Sequence, residues 1–333
     1  MASEIITLII GVIAILILAE IAVRNSIRLA HHFGWSGTFI GLTIFSIGTS
    51  VPEIMAAIVG SIDIVKEPSL MNTISGLVIG TNVGSDIFQQ SFILAIVGLI
   101  GTIVVVKKNI LSEVGALIAG AVLMWIMTIG GFINRFEGLI MFLAYIGYLF
   151  YLKKKQKKKK EKLNIKQVIH KKPKKKFTDW KLVFEISTII ISFAIMAFAA
   201  NKVIQASTIL VNSLSISASY FGVLLLGVAS ALPELTTALV AVFKHKKGIS
   251  AGVLIGSNVT NPLLGLGLGA MISGYAVPKV TIFYDLPFKI GIAGLIFWFL
   301  WRNEKLNKWE AVVLIGIFLV YLILRNFLFP VDF

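Results

Sequence analysis

The sequence predicts an all-α integral membrane protein of ten transmembrane helices, arranged as two inverted five-helix repeats. Three observations lead there. The apolar content exceeds what a soluble chain can bury, basic residues favour every second connection between candidate spans, and one motif occurs once in each half.

Of the 333 residues, 57% are hydrophobic and 14% charged. Soluble domains carry about 45–50% and about 25%. With a mean hydropathy of +0.91, most of this surface needs lipid as its solvent. The chain has no cysteine. That excludes disulfides and thiolate metal sites and leaves the redox compartment open. The net charge of +15 invites a nucleic-acid reading, but its location argues otherwise. Residues 153–176 hold fourteen lysines against Glu161, a net +13. This segment sits between two apolar halves and reads as a cytoplasmic loop near anionic lipid. A solvated, partly disordered linker is equally compatible. The apolar stretch 5–22 is too long for a signal-peptide core, lacks a basic leader and contains Glu20, so no cleaved signal is expected.

A helix needs roughly 20 apolar residues to cross the hydrocarbon. On that ruler the first half gives spans at 4–24, 37–61, 73–106, 110–130 and 134–152. The second gives 180–211, 218–243, 249–272, 284–301 and 308–328. The domains are then 1–152, the first repeat; 153–177, the basic loop; and 178–333, the second repeat. With the lysine segment inside, the inside connections hold Arg24 to His32, Lys107 and Lys108, Lys244 to Lys247, and Arg302 to Lys308. The outside ones, 62–72, 131–135, 212–217 and 273–283, hold only Lys66, Arg135 and Lys279. This asymmetry places both termini outside. Because five is odd, the second half enters the membrane in the opposite sense, as in many secondary transporters.

The halves share a motif. Gly-Thr-Ser-Val-Pro-Glu at 48–53 matches Ala-Ser-Ala-Leu-Pro-Glu at 229–234. Gly76, Gly80 and Gly84 followed by Ser85 match Gly248, Gly252 and Gly256 followed by Ser257. Pro52 and Pro233 fall mid-span, where each frees the carbonyl four residues back, on Gly48 and Ala229. A freed carbonyl in a membrane lines a cavity or binds something, although a lone proline kink satisfied by a serine or water is common. The glycine spacing is read as helix packing.

Glu53 and Glu234 are the central observation. A carboxylate at mid-membrane costs several kcal/mol and marks ion or proton paths. A single one could be a protonated structural acid, but two at repeat-related positions would converge near the pseudo-two-fold axis. Spans 37–61 and 218–243 contain no Lys or Arg, so the pair needs a cation or protons. Thr49 and Ser50 lie four and three residues before Glu53, and Ser230 lies four before Glu234. Gln89 and Asn261 follow Ser85 and Ser257 by one turn. An oxygen-only set with two carboxylates suits hard cations such as calcium or sodium; magnesium, which demands a rigid octahedron, fits less well. His31, His32, His170 and His245 fall at inside loops, so zinc and copper are not expected at the centre.

With these residues in view, the sequence resembles the sodium/calcium exchanger family, within the cation/calcium antiporters, in its prokaryotic form. The two Pro-Glu motifs and the two Gly-Ser helices carry the resemblance, and the central loop lacks room for regulatory domains. The resemblance implies a multi-pass protein of the cell membrane, compatible with a monomer, that exchanges Na+ for Ca2+ without a cofactor. It implies that Glu53 and Glu234 bind calcium centrally, helped by backbone oxygens near Thr49 and Ser230. Sodium would use the same glutamates with Ser50, Ser85, Ser257, Gln89, Asn261 and the carbonyls of Ser46 and Gly227. Against the family pattern, Gln89 stands where asparagine or aspartate is usual and Ala231 where serine is usual. Asn261 stands where potassium-dependent members carry aspartate, so potassium dependence is not expected. Asp86, about 100° around the helix from Ser85, is expected to support the site or line the pore. These departures bear on ion selectivity and stoichiometry more than on fold.

The implied mechanism is alternating access. One calcium or two sodium ions neutralise two ionised glutamates, and only a neutralised site crosses a low-dielectric barrier cheaply. The first and sixth helices, which lack the motifs, are candidates to slide over the rest. The alternative on the same fold is a calcium/proton antiporter or another cation antiporter. A channel would pass current without a counter-ion. A membrane enzyme would need a nucleophile–base pair or a metal centre, and the spans offer no His or Cys for one, so no enzymatic activity is expected.

Overall fold

A computed structural model describes residues 1–32, 46–101, 107–164, 179–243, 247–329 and 332. Within them, eight helical runs are long and apolar enough to cross a membrane. They are Ala2–Ser26, Pro68–Ile100, Ile110–Thr128, Arg135–Lys155, Trp180–Leu214, Ala218–Val240, Thr281–Asn303 and Lys308–Leu328. Part of the expected span 37–61 lies outside the described residues, and its described part holds the helices Ser46–Thr49 and Val51–Lys66. The expected span 249–272 corresponds to Lys247–Thr260, a wide turn Asn261–Leu266, and Gly267–Ser273.

Three boundaries differ from expectation, one of them the end of the span 73–106, which stops at Ile100 with Gly101 extended (φ −146°, ψ 144°). The first helix runs to His32, and the fifth continues from Arg135 through Asn164 into the lysine segment, where a loop from residue 153 was expected. Lysine, glutamine and glutamate are good helix formers, so the helix outlasts its apolar stretch. Residues 165–178 lie outside the described residues.

The prolines also act differently from a mid-span kink. Each helix breaks two residues before its proline, at Ser50 (φ −81°, ψ 3°) and Ala231 (φ −83°, ψ 0°). Pro52 and Pro233 then fall in the first turn of a new helix, where a missing N–H leaves nothing unsatisfied. The local bonding is the same in both halves. Ser50 N–H donates to Ser46 O (3.3 Å) and Ala231 N–H to Gly227 O (3.2 Å), while Ile54 N–H donates to Ser50 O (3.0 Å) and Leu235 N–H to Ala231 O (3.1 Å).

The two halves interlock. The Val51–Lys66 helix packs on Asn261–Leu266 and Gly267–Ser273, and the Met71–Phe88 helix packs along the run from Ala218 to Ser230. Glycine makes the second contact close. A Cβ at Gly80 would lie 2.5 Å from Ser219 O, and one at Gly84 would lie 2.5 Å from Val223 Cα. The opposite wall is also glycine: a Cβ at Gly222 would meet Leu77 O at 2.6 Å, and one at Gly227 would meet Ser85 N at 2.7 Å. The surroundings of Gly248 and Gly252 lie outside the described residues. Outside this core, the Ala2–His32 and Asp179–Leu214 helices lie against each other along their length. They expose Ile6, Ile10, Ile190 and Phe198, as lipid-facing surfaces do.

Several expected connections meet on one face. Phe132–Ile133 pairs antiparallel with Tyr275–Ala276, joining connections 131–135 and 273–283. Lys279 N–H donates to Asp332 O (3.0 Å), and Ser217 Oγ and the Ser219 backbone N–H donate to the Asp332 carboxylate. Below them, Arg325 Nε donates to Asp285 Oδ1 at 3.0 Å, with both residues fully buried. Tyr321 OH reaches the same oxygen at 2.8 Å, and Arg325 also donates to Ser219 Oγ. This network ties the last helix to the start of the Ala218–Val240 run. Towards the other face, Lys155 pairs with Glu113 (3.9 Å), joining the start of the lysine segment to the Lys107–Thr128 helix.

Gly84→Ala is expected to destabilise the protein by about 1–3 kcal/mol, the usual cost of overpacking, because the clash is with backbone. Gly84→Leu should prevent folding. Thermal unfolding in detergent reads both, and an unchanged midpoint for Gly84→Ala would show that the two helices do not pack this closely.

Candidate cation-binding site

The helix breaks aim two acids inward. Glu53 sits in the first turn of the Val51–Lys66 helix and Glu234 in the first turn of the Leu232–Phe243 helix. Both are fully buried, and they are close enough for the charge of one to act on the other. Thr49 and Ser230 each lie one turn before an acid, at the end of the helix that precedes the break. Thr49 Oγ1 also leans on Ser46 O (3.4 Å), and Ser230 Oγ on Gly227 O (3.1 Å). The carbonyls of Ser46 and Gly227 therefore each accept two internal bonds.

Ser85 donates to Glu53 Oε1 at 2.6 Å. Gln89 Nε2 donates to Ser85 Oγ (3.0 Å), and its carbonyl oxygen accepts from Ser257 Oγ and from Asn258 Nδ2 (3.1 Å). Gln89 thus joins both Gly-Ser helices through one amide. Asn261 reaches the group by another route, donating to Asp86 Oδ1 at 2.8 Å. The fully buried Lys289 donates to Asp86 Oδ2. Gln89 and Asn261 each open a π-helical turn, Gln89–Ile93 and Asn261–Leu266. Such wide turns concentrate at functional sites.

Five oxygens of the expected residues are buried without a hydrogen-bond partner: Ser50 Oγ, Glu53 Oε2, both oxygens of Glu234 and Asn261 Oδ1. A buried, unpaired polar atom costs about 1–3 kcal/mol, and more when charged. Five of them in one candidate set form a donor group in want of an acceptor of electron pairs. Among the described residues, no cluster of three His, Cys, Asp or Glu side chains could hold a metal ion. A cation here would rest on two carboxylates completed by hydroxyl, amide and carbonyl oxygens, a donor set suited to hard ions.

Two cavities are lined by the residues that precede the acids, Pro52 and Pro233. One, of about 370 Å³, is lined by Gly48, Thr49, Pro233 and Thr236 and, from the first helix, by Glu20 and Arg24. The other, of about 40 Å³, is lined by Pro52, Ala229 and Ser230 with apolar residues such as Ile15 and Val203. Each cavity meets the motif backbone of one half and the proline of the other. Residues of the Ala2–His32 helix border both, while Gly48 lines the first and Ala229 the second.

Lys289 was missed in the sequence, as were the amide partners Gln90 and Asn258 (2.7 Å) and the Ser46–Thr260 contact (3.0 Å). A lysine inside the apolar span 284–301 was a readable signal. The amides carried none, because their partners lie on helices distant in sequence.

Paired buried acids in a membrane-embedded, oxygen-lined centre between interlocked helices define a cation-handling membrane protein. The profile of the family described as sodium/calcium exchanger protein matches residues 3–154 and 184–327, and the chain belongs to that family of antiporters. It is 26% identical over 326 residues to the inner membrane protein YrbG of Escherichia coli (strain K12), covering 97% of each chain. It is 25% identical over 347 residues to the sodium/calcium exchanger MaX1 of Methanosarcina acetivorans, covering 95% of this chain and 96% of that protein. A solved structure of the sodium-calcium exchanger NCX_Mj superimposes with a TM-score of 0.61 at 22% identity, over 95% of this chain and 97% of that one, which shows a shared fold.

Ser85→Ala removes the hydroxyl that holds Glu53 Oε1. A hydrogen bond to a charged group contributes about 1.5–3 kcal/mol, so cation affinity should fall roughly tenfold or more. Calorimetric titration of the purified protein with Ca2+ reads this, and an unchanged affinity would remove Ser85 from the site.

Proposed function

We propose that the chain is a secondary active antiporter that exchanges Na+ for Ca2+ by alternating access. It would have ten transmembrane helices as two inverted five-helix repeats, 1–152 and 178–333, in a cell membrane. The N- and C-termini would lie outside and the lysine segment in the cytoplasm, near anionic lipid.

The observation that carries the reading is the pair Glu53 and Glu234, fully buried and with three of four carboxylate oxygens lacking a hydrogen-bond partner. Removing such charges from water costs several kcal/mol each unless something pairs with them. One divalent or two monovalent cations would neutralise them, and the bound ions would complete their coordination on Thr49, Ser50, Ser230, Ser85, Ser257, Gln89, Asn261 and the Ser46 and Gly227 carbonyls. The exchange follows from charge. An empty site carries two negative charges and cannot be closed off from water cheaply, so release of one ion type must be matched by binding of the other. The unequal cavities, about 370 Å³ and 40 Å³, support a state with one access route open. Sliding of the first and sixth helices would exchange the routes. The family membership and the relative named as a sodium/calcium exchanger support the ion pair.

Calcium-45 uptake into proteoliposomes tests the coupling. An outward sodium gradient is expected to drive uptake, and a pH gradient alone is not; uptake driven by the pH gradient instead would make the protein a calcium/proton antiporter. Glu53→Gln and Glu234→Gln should each abolish uptake, leaving less than about a hundredth of the wild-type rate, since a lost charge contact of about 3 kcal/mol corresponds to more than a hundredfold. Wild-type exchange in either variant would overturn the site.

A further inference from the structure

The centre of the molecule holds a third acid and one base. Asp86 and Lys289 are both fully buried and in direct contact. Lys289 comes from the Leu286–Asn303 helix, which carries none of the repeated motif. Asp86 directly follows Ser85, and its other oxygen accepts from Asn261 Nδ2. The oxygen of that amide, Asn261 Oδ1, is buried and has no hydrogen-bond partner. The Asn261 side chain is thus oriented by the Asp86–Lys289 pair at one end and left with a free electron-pair donor at the other. A cavity of about 20 Å³, lined by Gln89, Gln90, Asn258 and Ala293, lies one turn along the helix from Lys289.

We propose that Lys289 is a tethered monovalent cation that sets how many sodium ions the site takes. The inference rests on the exchange reading and deepens it. Glu53, Glu234 and Asp86 together carry three negative charges, and the lysine ammonium, held on the Asp86 carboxylate, cancels one. The charge left for mobile ions is that of two carboxylates. Without the ammonium, Asp86 would be a naked carboxylate beside Ser85 and Asn261, with hydroxyl and amide oxygens close by, and a sodium ion could take the ammonium's place. An ammonium on a fixed stem meets the charge requirement but cannot be released. It therefore acts as a permanent occupant in every stage of the cycle.

The test is equilibrium binding of sodium-22 to the purified, full-length protein in detergent at alkaline pH, with bound ions counted per protein. Lys289→Met is expected to bind one more sodium ion than the wild type. Asp86→Asn, which leaves the ammonium unmatched, is expected to bind one fewer. The double variant D86N/K289M should return to the wild-type number. An ion pair that serves only to hold helices together would lower stability in both single variants and change the number in neither, and that result overturns the proposal. If Lys289→Met fails to fold, Asp86→Asn decides alone: an unchanged number refutes the lysine's role. The comparison is between variants, so a wild type that binds no sodium would sink the sodium-exchange reading, while a gain of one ion in Lys289→Met would still support the tethered cation.

Discussion

Two carboxylates held in a dry interior without a base between them are the constraint on which the rest of the structure depends. Glu53 and Glu234 each stand in the first turn of a helix that restarts after a break in the chain. The break at Ser50 and its counterpart at Ala231 supply that interruption with nearly the same dihedral angles. Each proline stands where its missing N–H does no harm. The breaks also put the motif backbone at the ends of two cavities. The same local geometry thus buries the acids and sets the motif residues against two cavities.

The glycine ridge exists for this approach. Gly80 and Gly84 allow the Met71–Phe88 helix to touch the backbone of Ser219 and Val223, and Gly222 and Gly227 reply from the other side. With backbone on backbone, Ser85 can reach Glu53 and Gln89 can span to Ser257. In lipid, packing of small residues substitutes for the hydrophobic drive that holds soluble cores together. Two other buried acids are compensated inside the protein, Asp285 by Arg325 and Asp86 by Lys289. Among the described residues, Glu53 and Glu234 have no such ion pair, and three of their four carboxylate oxygens lack a hydrogen-bond partner.

Much of the fold was legible because lipid imposes strong rules on sequence. Apolar runs of sufficient length, the distribution of Lys and Arg, and a repeated Pro-Glu motif are each local signals, and they led to the helical class and the family. The boundaries at His32 and Asn164 escaped because helix propensity, not hydropathy, decides where a helix ends in water. The prolines were readable as disruptions but not as helix starts, since the breaks lie upstream, at Ser50 in one half and at Ala231, a residue with no marked turn preference, in the other. At the site, the serines and Gln89 were legible through their spacing from the glycine ridge. The Gln89 hub and the Asp86–Asn261 contact bring together residues about 170 positions apart, and only the packed helices make them neighbours. Lys289 was written plainly in an apolar stretch, but its partner was not.

The interlocking of the halves bears on how the protein is made. The helix around Gly80 and Gly84 finds its closest wall in the run from Ala218 to Ser230, and the helix of Glu53 leans on the segment from Asn261 to Ser273. When synthesis has reached the lysine segment, neither of these surfaces has yet emerged. The helices made before it must therefore wait in the bilayer with their own matching surfaces turned to lipid or to the insertion machinery. Maturation is completed only when the later helices slot in. Each of the two surfaces is buried only by residues on the far side of the lysine-rich stretch.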